Sequence, residues 1–323
     1  MGKDWLVSVS YIGNEIVHLY GQRELNPAVL VPSTLPLGTC PLGQTKGCNA
    51  TSNTNQRRIF ALQNPTEGSK YGFVDIWDDG GTRSYNGLLL STQKRLSRGF
   101  TMSANYAWSH CIGNPINTFP NGGTGDYCAA TRAGDRGDCT ISGSDVNNGG
   151  TDRRHIANFT GLASMPRFSN RAVRLLASDW KASATVSMYS GGPITVVSGV
   201  DNALNGINAA TQYANQLLPN VYGTGGVNTW LNPLAFAAPA FGTLGNMAPG
   251  TVRGPGALIF NAGLSRLFRI RERQVIELRG EAQNVLNRTN FGDPNAVLNS
   301  STFGRIVSSG PARIIQLGAK YVF

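Results

Sequence analysis

The sequence predicts an all-β fold: about eight antiparallel, up-and-down strands of a transmembrane β-barrel, forming an arc of a wider cylinder. Three observations lead there. The terminal segment Gln316-Leu317-Gly318-Ala319-Lys320-Tyr321-Val322-Phe323 alternates, with Leu317, Ala319, Tyr321 and Phe323 on one face of an extended strand. Similar period-two segments recur along the chain, separated by connections that are long and short in turn. No apolar stretch approaches the ~18–20 residues of a membrane helix. Glycine is abundant at 40 residues and charge is scarce at 14%. Alternating strands average to unremarkable hydropathy, and the mean here is −0.17.

The strands follow in order. The first covers about residues 4–20, with Trp5, Val7, Val9 and Tyr11 on one side. A Pro-, Gly-, Asn- and Thr-rich connection, about 22–68, leads to a second strand over 70–96, interrupted by a bulge or partial loop near Asp78-Asp79-Gly80-Gly81. Past Ser97-Arg98-Gly99 comes the cleanest alternation, where Phe100, Met102, Ala104, Tyr106 and Trp108 oppose Thr101, Ser103, Asn105, Ala107 and Ser109. A connection over 111–152 precedes a fourth strand at 153–166, and a moderate one leads to a fifth near 179–190, beginning at Trp180. A third long connection, 191–255, precedes the sixth strand, with Leu258, Phe260, Ala262, Leu264 and Phe268 on its apolar side. A turn at 270–273 gives the seventh, where Ile276, Leu278, Gly280 and Ala282 oppose Glu277, Arg279, Glu281 and Gln283. A last loop, 288–310, precedes the terminal strand.

Long connections thus follow odd-numbered strands and short ones even-numbered strands. In outer-membrane barrels short turns face the periplasm and long loops the exterior, which places Phe323 on the periplasmic side. Structureless connections of this length argue against a compact soluble domain. Glu277, Arg279 and Glu281 cannot face hydrocarbon, where Arg near the midplane costs ~2–4 kcal/mol, so they and Gln283 are expected to line a wet lumen. An eight-stranded barrel has room only for its own side chains; the Gly, Ser, Thr, Asn and charge offered inward suit a wider one. Trp5, Tyr11, Phe100, Trp108 and Trp180 are expected at the membrane interfaces, with Tyr321 and Phe323.

Other classes are disfavoured. The net charge of +10 is dispersed, with no basic stripe of interleaved aromatics, so no nucleic-acid partner is expected. His18, His110 and His155 accompany no nucleophile elbow, P-loop or metalloprotease pattern, so neither catalysis nor a cofactor is expected. The five cysteines fall in Gly/Asn/Thr-rich segments read as lying between strands. Cys40 and Cys48 flank a short loop, and Cys111 and Cys139 would staple a long one, leaving Cys128 odd. A zinc site at His110, Cys111, Cys128, Cys139 and His155 lacks supporting spacing, as does a calcium site at Asp135, Asp138, Asp145 and Asp152. No signal peptide precedes Trp5, although an exported barrel needs one, so the chain is expected to be a fragment.

The terminal pattern of Gln316, Gly318, Tyr321 and Phe323 resembles the signal that the barrel-assembly machinery reads in bacterial outer-membrane proteins. Longer stretches carry a family likeness: Tyr85-Asn86-Gly87-Leu88-Leu89-Leu90, Lys94-Arg95-Leu96-Ser97-Arg98-Gly99-Phe100, Glu24-Leu25-Asn26-Pro27, Asn55-Gln56-Arg57-Arg58, Asp152-Arg153-Arg154-His155-Ile156, Ser190-Gly191-Gly192-Pro193-Ile194-Thr195 and Arg279-Gly280-Glu281-Ala282-Gln283-Asn284. Together they resemble the C-terminal barrel of TonB-dependent receptors of the Oar-like group, which carry a carboxypeptidase-regulatory-like domain and abound in Acidobacteria. That resemblance implies a barrel of about twenty-two strands, a plug domain, a TonB complex reached from the periplasm, the outer-membrane lipid bilayer and an unnamed solute. Signal peptide, regulatory domain, TonB box and plug have no counterpart in this sequence. The alternative is a non-transporting outer-membrane barrel or surface adhesin.

Overall fold

The structure is a computed structural model that describes residues 4–30, 49–114, 116–117, 137–139, 141–142, 152–166, 168–205, 212–271 and 274–323. Eight long strands are β1 (Trp5–Glu24), β2 (Asp75–Ser97), β3 (Phe100–Gly113), β4 (His155–Ser164), β5 (Trp180–Tyr189), β6 (Ala257–Arg271), β7 (Gln274–Gln283) and β8 (Ile314–Val322). Each pairs antiparallel with its sequence neighbours, so the order in the sheet is the order in the chain, with β1 and β8 at the two edges. A short segment, Gly137–Asp138, adds to β3. Among the described residues no helix is long and apolar enough to cross a membrane.

This meander follows from its turns. Arg98 and Gly99 join β2 to β3 with φ of 50° and 77°, the double positive-φ geometry whose twist matches that of the flanking strands. A Cβ on Gly99 would also stand 2.3 Å from the Ser164 carbonyl oxygen, so glycine is required there twice over. β4 and β5 connect through residues 165–179, which include a short helix, Arg171–Ala177. Both connections lie at one end of the sheet, while the described residues of the 25–74, 114–154, 190–256 and 284–313 connections lie at the other.

β4, β5 and β7 are 10 residues long and β8 is 9, the length of one bilayer crossing (~9–11 residues). β1 and β2 run to 20 and 23 residues and project beyond the others at the long-loop end. The expected interruption at Asp78–Gly81 is a register irregularity inside a continuous strand: the shifts fall between Ile16, Leu19 and Gly21 of β1, with Leu19 opposite Gly81 and Gly21 opposite Asp78. The second strand begins at Asp75 rather than 70, because Gly68–Lys70 forms a 3-10 turn.

The packed core lies in the loops and not in the sheet. Ile194, Val196, Val197, Tyr213, Ala214, Leu231, Phe236, Met247, Val252 and Ala296 form one buried apolar cluster, and the Phe303 ring meets Phe236 edge-on at 5.5 Å. Backbone bonds hold its segments together: Ala214 N–H donates to Val196 O (3.1 Å), Val197 N–H to Ala296 O (3.0 Å) and Trp230 N–H to Gly304 O (3.0 Å). Burying a side chain such as Ile, Leu or Met stabilises by ~1.5–3 kcal/mol. The expectation of structureless connections is therefore corrected: the third and fourth long loops build a compact cap over the sheet.

Candidate functional site

Register assigns every side chain on the sheet to a face, because directly opposed residues point the same way. Ile276 and Leu278 of β7 face Tyr321 and Ala319 of β8, then Phe268 and Arg266 of β6, which leads to Trp180 of β5. Ala182 and Val186 continue the row to Ala163 and Phe159 of β4, Phe100 and Ala104 of β3, Leu88 and Leu90 of β2, and Tyr11 and Val9 of β1. One face is thus apolar across all eight strands. Trp5, Tyr11, Phe100, Trp108 and Trp180 all stand on it. Leu317 and Phe323 are 82% and 90% exposed, so no described residue covers it there, and an apolar surface this wide marks a membrane or partner. Arg266 and Lys94 place cations on this face: the Arg266 guanidinium lies 5.1 Å from the Trp180 ring and 4.7 Å from Phe268, and Lys94, opposite Trp5 and Met102, has its Nζ 5.4 Å from the Phe100 ring, cation–π settings suited to an interface.

The opposite face is polar. Glu277 opposes Lys320, Arg279 opposes Gly318, and Glu281 opposes Gln316. Across β6 the neighbours are Gly263 and Ser265, then Ser183 and Lys181 of β5. Arg279 Nε donates to Glu281 Oε1 at 2.8 Å. Hollows of about 250, 280 and 170 Å³ run along this wall, and Glu281 lines all three. Gln316 and Gly318 share this face, while Tyr321 and Phe323 lie on the apolar one with stacked rings 5.9 Å apart.

At the long-loop end a charged knot joins two loops. Arg253 Nη2 donates to Asp152 Oδ2 (2.8 Å) and to Asp138, and its Nη1 to the Asp152 carbonyl (2.7 Å). Arg154 Nη2 donates to Asp138 Oδ1 (2.9 Å) and its Nε to Asp152 Oδ2 (3.2 Å). His110 Nε2 lies 2.8 Å from Asp138 Oδ1. Burial alone would raise the Asp138 pKa, but the His110 hydrogen bond with Arg253 and Arg154 outweighs it and holds the carboxyl below its ordinary range. His110, Asp138 and Asp152 converge closely enough to ligate a metal, their ligand atoms within 4.8 Å of one another. Two guanidinium groups already occupy those carboxylates, so the arrangement is a structural ion-pair network.

Cys111 and Cys139 are bonded to each other beside this knot. Cys111 lies inside β3, which corrects its placement between strands. The strand runs past Ser109 because His110–Gly113 pair with Arg83–Asn86. Cys40, Cys48 and Cys128 lie outside the described residues, as do Asp135 and Asp145.

Sequence reasoning missed the buried arginines of the first long loop. Arg57 donates to Asn53 Oδ1 (2.8 Å) and to the carbonyls of Val29 (2.8 Å), Ala50 (3.0 Å) and Leu204 (2.6 Å), docking this loop onto the third. Burial lowers the Arg57 pKa, and Asp201 partly offsets that. Arg58 pairs with Glu24, both nearly inaccessible, donates to Asn26 O (2.7 Å) and sits 4.0 Å from the Phe73 ring. Nothing in Asn55-Gln56-Arg57-Arg58 signals burial, because arginine is rarely buried. Its partner segment, Glu24-Leu25-Asn26-Pro27, was the available clue.

The outer membrane beta barrel domain family matches residues 1–316. No curated protein matches the sequence. Among solved structures, the outer membrane transporter YddB from Escherichia coli superposes with a TM-score of 0.44 at 10% identity, covering 100% of this chain and 31% of that one. The chain therefore spans about a third of the length of that transporter.

Proposed function

The chain belongs to the outer membrane beta barrel domain family, and from that premise we propose that it forms wall and substrate-collecting loops of a TonB-dependent, plug-gated transporter of the Oar-like group. Its place is the cell outer membrane, with the apolar face of the sheet against lipid. One observation carries the proposal furthest: the polar wall of Lys181, Asn261, Glu277, Arg279, Glu281 and Gln316 is continuous across β5 to β8, and β1 and β8 do not pair with each other. An open arc with charge on its inner side suits a cylinder wide enough to hold a separate domain. A narrow eight-stranded barrel would fill that space with its own side chains.

In this reading Glu277, Arg279 and Glu281 contact a plug or passing solute, and the capped loops gather solute at the cell exterior. In the same reading residues 1–323 are part of the barrel wall of such a receptor. The barrel-assembly machinery inserts it through its terminal strand. The test is growth of a strain lacking the receptor gene across carbon and iron sources, beside a strain lacking TonB. A solute whose use fails in both strains supports the proposal. Normal growth of the receptor mutant on every source, with loss of surface attachment instead, favours a non-transporting adhesin.

A further inference from the structure

A further cavity, of about 380 Å³, opens where the cap meets the polar face of the sheet, and Gln283 is among the residues around it. That volume lies within the range of small-molecule sites, ~300–1,000 Å³. On one side Arg153 lays its guanidinium 4.3 Å from the centre of the Tyr189 ring and is held there by an Nη1 bond to Ser190 O at 2.8 Å. Asp293 lies within the Coulomb field of Arg153, yet its carboxylate makes no hydrogen bond among the described residues. Burial raises its pKa, with Arg153 acting in the opposite direction. Two carboxamides have their oxygens committed: Asn261 Oδ1 accepts from Asn284 N–H (3.0 Å) and Asn290 Oδ1 from Leu258 N–H (2.9 Å). Those bonds fix both side chains and leave each Nδ2 as a donor. The Phe291 ring, 41% exposed, completes the rim.

We propose that this cavity binds a neutral saccharide of one or two rings. One cation and one carboxylate give the site no net charge, so it selects neither an anion nor a cation. A sugar offers hydroxyls that donate to Asp293 and accept from Asn261, Asn290 and Arg153, and its C–H face packs on an aromatic ring. All four groups are half-buried, so leaving them unsatisfied carries part of the desolvation cost of a buried polar group, which makes the match selective. The inference rests on the reading that the long-loop end faces the exterior.

The test uses the full-length gene product in detergent, with folding verified independently by heat-modifiable migration on gels. Calorimetric titration with glucose, maltose and cellobiose, and with the zwitterion dialanine as control, is expected to show a Kd on the order of 1 mM or tighter for at least one saccharide. Asp293→Asn and Arg153→Gln are each expected to weaken it roughly tenfold or more, with heat-modifiability retained. Absence of saccharide binding by the folded barrel, dialanine binding in its place, or unchanged affinity in both variants overturns the inference. Loss of heat-modifiability in the parent protein would instead contradict the barrel itself.

Discussion

Arg253 Nη2 lies 2.8 Å from Asp152 Oδ2 and joins the second long loop to the third, 101 residues apart in sequence. The Asp152 side chain is 1% exposed, and its other oxygen accepts the Cys111 backbone N–H at 2.8 Å. Replacing it by Asn leaves Arg154 and Arg253 sharing the single carboxylate of Asp138. Because both arginines are partly exposed and keep that partner, the cost falls below the ~3–5 kcal/mol of breaking a fully buried pair. Asp152→Asn should therefore loosen the cap: limited proteolysis of the folded barrel should cut within 114–154 and 190–256 faster than in the parent. Equal cleavage rates would show that the knot does not hold the loops.

The same knot sets a pH limit. The carboxyl of Asp138 has a pKa lower when folded than when unfolded, so its contribution is present above the ordinary value of ~3.9. It is lost as pH falls through the depressed folded value. Loop protection from hydrogen exchange at 137–139 should then be level from pH 7 to pH 5 and fall only below the usual carboxylate range. A drop between pH 7 and pH 5 would contradict this assignment.

Non-reducing mass spectrometry should find Cys111 joined to Cys139, and also Cys40 joined to Cys48. The Cys111–Cys139 bond spans a sequence separation of 28, for which loop-closure entropy gives roughly 3.6 kcal/mol. Free thiols at both members of either pair would refute that pair.

Phe323 ends the chain on the apolar face, beyond Tyr321. Its deletion from the full-length gene should abolish outer-membrane assembly, read as loss of heat-modifiable migration. A normally migrating barrel in that mutant would remove the terminal strand from the assembly signal.

The strands were legible because period two is a local property: Phe100 to Trp108 alternates within nine residues, and the structure pairs it on both sides. Hairpin chemistry was equally local at Arg98-Gly99. The cap was not legible. Ile194, Tyr213, Leu231, Met247 and Ala296 have no common period, and contacts between distant segments bring them together. Asp152 and Arg253 likewise carry no mutual signal in sequence, although Asp152-Arg153-Arg154 stood out as a motif. The charge on Glu277, Arg279 and Glu281 was read directly, whereas the strand edges that would meet the rest of the cylinder needed the sheet order.

The most direct test places single spin labels at successive positions from Val275 to Gln283 of β7, in the full-length protein in bilayers with its other free thiols replaced. Labels at Ile276, Leu278, Gly280 and Ala282 should collide with oxygen dissolved in lipid, and those at Glu277, Arg279, Glu281 and Gln283 with a water-soluble nickel complex. Equal access of both reagents to the two sets would contradict a sheet with hydrocarbon on one side and a wet lumen on the other.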